Sequence, residues 1–335
     1  MNTQIRCVVA ALLAGLASGW VGASTLPAYE TYSAAADTVV QGLDVTSDSG
    51  ATAQISGNTY AASASTALAS NHAYASVSST PDNVFSVNSF SGWYDKVTIT
   101  GGTGADTLAF TVQLNGLVDV GQYAGSMAYG LYASPLHPTQ LVDTLNIVDP
   151  VSLALAPWAL NAPLGFNTNA ELTAISTYRL GASPYNDTSI LFPVTGEQMA
   201  GIPAAAGLAI PDLMLTPGVA QRIDIALHGT LDFTYGEAFY LIAGLGVSVF
   251  GDGLESSCIT IGPACTAPEK DGTGATNVDF ANGATLVSIV LPSGAAANFA
   301  SGAHHPVTAV PEPREWAMLL AGLGLVGWRA RRRPA

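Results

Sequence analysis

The side chains able to do chemistry are few and scattered along these 335 residues. His228 stands between Asp224 and Asp232, each four residues away, and in an extended strand all three project from one face. An imidazole flanked by carboxylates is material for acid–base catalysis or a metal site, and equally for an ordinary solvated strand face. His304 and His305 are adjacent, so on a strand they face opposite ways and share no metal without help; His72 and His137 have no evident partners. Asp271, Asn277 and Asp279 offer oxygen ligands of the kind calcium takes, in a glycine-rich loop whose spacing departs from the EF-hand pattern; a plain polar turn is the alternative. Trp93, Trp158, Tyr123, Tyr129 and Tyr132 serve either as a sugar-stacking platform or as core aromatics.

None of the spacings that organise a known reaction occurs. The chain lacks a Gly-x-Ser-x-Gly elbow, a phosphate loop ending in Gly-Lys, a His-Glu-x-x-His helix and, after a strand, a Gly-x-Gly-x-x-Gly turn. Two of its many carboxylates could meet across a sheet as a glycosidase pair, but nothing singles out which. The expectation is a protein without catalysis of its own, with no catalytic residue, resident metal or cofactor assigned.

The two ends carry the strongest patterns. Arg6 precedes the apolar run Cys7 to Leu16, and Val21-Gly22-Ala23 supplies small residues of the kind signal peptidase reads, so residues 1–23 read as a removable secretory signal. At the other end Pro311-Glu312-Pro313 leads into Trp316 to Trp328, a run that includes Leu319, Leu320, Leu323, Leu325 and Val326. As a helix, 13 residues reach roughly 20 Å, short of the roughly 30 Å hydrocarbon core of a bilayer. Arg329, Arg331, Arg332 and Arg333 follow and would stay on the cytoplasmic side, with Trp316 and Trp328 placed as interfacial aromatics. The two prolines hold the approach extended and open to a processing enzyme. A permanent anchor or an ordinary C-terminal core helix are the competing readings of the same run.

At these residues the tail resembles the PEP-CTERM sorting signal of Gram-negative bacteria. The resemblance implies recognition, and cleavage, by a membrane-embedded exosortase, transient association with the inner membrane, and residence at the cell surface or in the extracellular matrix. It also implies an association with exopolysaccharide and biofilm or floc formation. Phrases in the body such as Trp93-Tyr94-Asp95-Lys96-Val97, Tyr235-Gly236-Glu237-Ala238-Phe239 and Asp279-Phe280-Ala281-Asn282-Gly283-Ala284 resemble the β-rich ectodomains often found on such proteins. The family gives these phrases no catalytic role.

Setting the ends aside leaves four of ten basic residues and 22 of 24 acidic ones, a net charge of −18 for residues 24–310. Such a surface repels nucleic acid and anionic lipid and favours cations. Cys7 leaves with the signal, so Cys258 and Cys265 are the remaining pair. In an oxidising compartment, with a turn at Gly262-Pro263 between them, they are expected to form a disulfide.

Period-two patterning dominates the body. In Arg222 to Tyr235 the apolar Ile223, Ile225, Leu227, Leu231 and Phe233 alternate with polar residues, and Gly229 is read as a bulge or a division between two strands. Tyr94 to Thr100 and Thr107 to Leu114, joined by Gly101 to Asp106, are read as a β-hairpin. Further strands are expected over Thr38–Val45, Thr52–Tyr60, Ala73–Ser78, Val84–Phe90, Phe239–Phe250 and Thr285–Leu291. The Ala/Ser-rich Ala61 to Ser79 reads mainly as compositional bias, and residues 150–217 as a proline-rich excursion with one or two short helices, one near Gly196 to Ala209.

The whole is predicted all-β: an antiparallel β-sandwich or jelly-roll ectodomain over 24–310, with a separate short hydrophobic helix in 311–335. The expected role is structural or adhesive, with signal peptidase and exosortase as partners during export. A lectin-like carbohydrate- or calcium-binding module is the alternative, and a secreted hydrolase the second alternative.

Overall fold

The computed structural model describes residues 28–37, 41–46, 51–57, 59–78, 86–121, 123–138, 173–182, 218–250 and 274–309. Residues 1–23, the tail 311–335, Cys258, Cys265, Asp271, Trp158 and the helical turn expected near 196–209 lie outside them.

Among the described residues fourteen strands follow one another: β1 Tyr29–Asp37, β2 Gln41–Thr46, β3 Ala51–Ser56, β4 Tyr60–Ala67, β5 Ser70–Val77, β6 Ser86–Thr100 and β7 Ala105–Asp119, then β8 Ala124–Ser134, β9 Thr173–Ala182, β10 Gln221–Thr234, β11 Ala238–Phe250, β12 Thr276–Leu291, β13 Ala296–Phe299 and β14 Val307–Ala309. They build two seven-stranded sheets. One runs β2-β1-β6-β11-β8-β9 with β13 on β6, the other β10-β7-β12-β5-β4-β3 with β14 on β12. Every pairing is antiparallel except the three-residue β12–β14 contact. The inner faces share one core, to which β7 contributes Leu108, Phe110, Val112 and Leu114, β10 Ile223, Ile225, Leu231 and Phe233, and β11 Leu241, Leu245 and Val247.

The alternation in β10 is obeyed along its whole length, with Asp224, Thr230 and Asp232 exposed and the apolar set buried. It is one unbroken strand in continuous register with β7. Gly229 marks neither a bulge nor a division. A Cβ there would lie 2.0 Å from the carbonyl oxygen of Ile175 on β9, so glycine lets the edges of the two sheets meet backbone to backbone.

The expected hairpin between β6 and β7 does not form. The two strands belong to different sheets, and Gly101 to Gly104, with φ of 94° and 79° at its two ends, carries the chain across. The turn Tyr235 to Glu237 crosses in the same way between β10 and β11, and the amide of Tyr235 donates to the Gly104 carbonyl. Two half-buried strands joined by a short loop look alike whether they lie side by side or face each other, because either arrangement gives each one dry face.

The stretch read as Ala/Ser bias forms β4 and β5. Ala62, Ala64, Ala73 and Ala75 point inward while Ser63, Ser65, His72 and Tyr74 point outward. Opposite them the other sheet presents Ser33, Ser89 and Ser91, also small. Cα atoms of β4 and β5 therefore come within 8 Å of β6, closer than the roughly 10 Å usual between stacked sheets. Two of the hydroxyls caught in this seam are matched across it, Ser33 with Thr66 at 3.0 Å and Ser89 Oγ accepting from the Tyr74 amide at 2.9 Å, whereas Ser91 Oγ has no partner.

Strands β8 and β11 are buried on both faces, and β9 lies inside the expected proline-rich excursion. The Thr38–Val45 expectation resolves into β2 with β1 before it, and Thr52–Tyr60 into β3 and the start of β4.

Candidate functional site

The acid and histidine residues of β10 do not converge. Successive members are four residues apart, about 13 Å along a strand, and each is matched to β7. Gln113 Nε2 donates to Asp224 Oδ1 at 2.6 Å, Thr111 Oγ1 lies 3.2 Å from His228 Nδ1, and Thr107 donates to Asp232 Oδ1 at 2.7 Å. This is a cross-strand polar ladder on a wet face.

The aromatic platform is also not present. Trp93, Tyr123, Tyr129 and Tyr132 are buried, and burial pushes the hydroxyls of Tyr129 and Tyr132 up in pKa and that of Tyr178 up to about 12. Of the calcium candidates, Asn277 and Asp279 stand in β12 and not in a loop, and Asp279 Oδ1 accepts from the Ala281 amide at 2.8 Å. Among the described residues no three His, Cys, Asp or Glu side chains gather as a metal site.

Two buried polar clusters had no sequence signal. On the inner face, Asp95 of β6 accepts from the Ser301 amide at 3.2 Å, from Ser301 Oγ and from His305 Nε2 at 3.1 Å. His305 and His304 do face opposite ways, but from a loop: His305 is buried against Phe299 and Trp93, while His304 is exposed. On the other face of the same sheet Tyr94 donates to Glu30 Oε2 at 2.9 Å, and His137 meets the Tyr94 and Tyr240 rings edge-on at 5.2 and 5.1 Å.

Glu30 is only 5% exposed, and this burial raises its carboxyl above the ordinary value of 4.5 despite the opposing Tyr94 hydrogen bond. An acid raised in the folded state contributes stability that is full below the unfolded pKa and lost as pH rises through the folded one. Replacing Glu30 by Gln, which keeps an acceptor for Tyr94, should therefore stabilise the protein at pH 8 more than at pH 4. Urea unfolding at the two pH values checks this; an equal difference at both would show that Glu30 ionises as freely in the fold as outside it.

A concave surface lies on the outer face of β3, β4 and β5, an open groove of about 300 Å³. Its lining includes Thr52, Gln54, Ser63, Ser65, His72 and Tyr74, placed in rows by the register Thr52↔Ser65↔His72 and Gln54↔Ser63↔Tyr74. One wall is Ala281, thrown outward by an irregularity in β12 between Phe280 and Ala284. Gly283 makes that wall possible, since its φ is 71° and a Cβ would sit 2.0 Å from the Asn71 carbonyl oxygen.

His72 is fixed from both sides. Nδ1 lies 2.7 Å from the Ala281 carbonyl, which can only accept, so Nδ1 carries a proton; Nε2 lies 2.9 Å from Ser70 Oγ. Tyr74 is held by donating its hydroxyl to Ser76 Oγ at 2.9 Å. Sequence reasoning left His72 without a partner because Ala281 is 209 positions away, although Ser70, two residues back on the same face, was visible. No protein-family model matches this chain, and no curated protein or solved structure does either.

Proposed function

We propose that this chain is an exported protein of the cell surface or extracellular matrix with a structural or adhesive role. In this reading its body is a β-sandwich ectodomain, and an exosortase sorts it through a short tail helix after signal peptidase has acted on residues 1–23. The observation that carries the reading is the C-terminal order of Pro311-Glu312-Pro313, an apolar run too short for a secure span, and Arg329 to Arg333. The two-sheet body supports it, with its reactive side chains engaged in cross-strand pairs and buried clusters.

The fold adds a geometric consequence. β14 ends at Ala309, so at most seven residue steps, roughly 25 Å of extended chain, separate it from Trp316. β14 runs alongside β12 in the same direction, towards the turn Pro292 to Ala295, whose Gly294 carbonyl abuts Gly101. While the tail is in the membrane, the end bearing the Gly101–Gly104 and Tyr235–Glu237 crossings must then sit close to it.

Mass spectrometry of surface-exposed protein from a host with an exosortase tests the proposal. The expected result is a C-terminus ending near Pro313. Replacing Arg331, Arg332 and Arg333 by Glu should misorient or release the tail, whereas Glu312→Ala should block processing and leave membrane retention intact. An intact C-terminus through Ala335, unaffected by Glu312→Ala, would replace sorting by permanent anchoring.

A second reading, a lectin-like carbohydrate-binding module, is favoured by the groove over β3, β4 and β5.

A further inference from the structure

We propose that the groove over β3, β4 and β5 binds an uncharged polyhydroxylated chain, a neutral glycan, with Gln54, Ser63 and Ser65 as its polar contacts, the fixed His72 ring as part of its wall and Tyr74 as its ring surface. This deepens the adhesive reading and rests on it only for where such a glycan is met.

The chemistry of the lining selects the ligand class. Among the described residues no Lys, Arg, Asp or Glu lines the groove, although the exported body carries a net charge of −18. Without a cation the groove gives an anionic polymer no compensating charge, and the surrounding acidic surface repels it. Without a carboxylate it gives a metal ion no hard anionic ligand. What it presents are serine and threonine hydroxyls and a carboxamide, groups that both donate and accept. Vicinal sugar hydroxyls need that dual capacity.

The spacing suits a polymer. Cross-strand neighbours lie about 4.8 Å apart and same-face residues along a strand about 6.6 Å apart, giving a grid of polar groups on the scale of a sugar ring. At about 300 Å³ the groove reaches the lower end of the usual range for ligand sites, and it is open, so a chain can lie across it instead of ending in it. Its wall is built: Gly283 and the Asp279–Ala281 contact set the outward turn, and Ala281 fixes His72.

Position adds a third argument. Ala281 and Leu291 are ten residues apart on β12, up to about 30 Å. The chain leaves beside Leu291, so the groove lies towards the opposite end, away from a membrane holding the tail.

The test is affinity electrophoresis of the full chain in mild detergent, through gels containing dextran, a β-1,3-glucan, mannan or galactan, with alginate as the acidic control. At least one neutral polymer should retard the protein and alginate should not. Gln54→Ala and Ser65→Asp, both at outward positions, should weaken that retardation roughly threefold to tenfold, as expected for one lost hydrogen bond or an introduced charge, with the thermal midpoint unchanged. Failure of all four neutral polymers, retardation by alginate alone, or retardation indifferent to both substitutions would overturn the proposal. Surface location is read separately by fractionation, so a surface protein that binds none of these polymers refutes the groove and leaves the adhesive reading standing.

Discussion

Replacing Asp95 by Ala is expected to cost about 3–5 kcal/mol of folding stability, the scale for removing one partner from a buried charged cluster. Asp95 is 0% exposed and takes three hydrogen bonds, two from Ser301 and one from His305. Without its carboxylate the buried His305 Nε2–H and the half-buried Ser301 amide and hydroxyl lose their acceptor. Asp95→Asn keeps one acceptor oxygen and should cost less, about 1–3 kcal/mol. His305→Phe retains a ring against Phe299, whose centroid lies 4.0 Å away, so the double variant Asp95→Ala/His305→Phe should lose less than the two single losses combined. Urea unfolding of the four proteins decides it; a loss below about 1 kcal/mol for Asp95→Ala would mean that water reaches the cluster.

The consequence reaches the exit of the chain. Asp95 belongs to β6, whereas Ser301 and His305 belong to the segment between β13 and β14, immediately before the tail. The cluster therefore fastens the segment before β14 to the centre of a sheet. A loosened cluster would free β14, which has only a three-residue pairing with β12, and lengthen the tether between body and tail.

What the sequence disclosed depended on contrast between faces. In β10 large aliphatic residues alternate with charged ones, and the strand is legible residue by residue. In β4 and β5 the same alternation is present, but half of the inward residues are alanines and half of the outward ones serines, so the signal has little amplitude. β8 is buried on both faces and has no alternation to read. The groove was hidden for the first of these reasons, since its floor is β4 and β5. The Asp95 cluster was hidden for another: its members are 206 and 210 positions apart, and one of the segments is a loop without periodicity. Pairing between strands was the least legible feature, because facing and adjacent strands impose the same pattern.

Phe110→Ala should cost about 3–5 kcal/mol, while Thr111→Ala, one residue along β7, should stay within about 0.5 kcal/mol. Phe110 is buried in the shared core, opposite Gly229 on β10 and Ile289 on β12. Glycine at 229 supplies no side chain beside it, so the ring has to fill that part of the layer, and the β9 backbone closes over Gly229 from the facing edge. Truncating the ring leaves a cavity that the stiff flanking strands cannot collapse. Thr111 points to the wet face, where its hydroxyl meets His228 at 3.2 Å and water can replace it. Because the two positions differ by one step of the strand period, the ratio of the two losses tests the register itself. Comparable losses at both, measured by urea unfolding, would mean that β7 is not half-buried in this register and that the two-sheet arrangement around it is wrong.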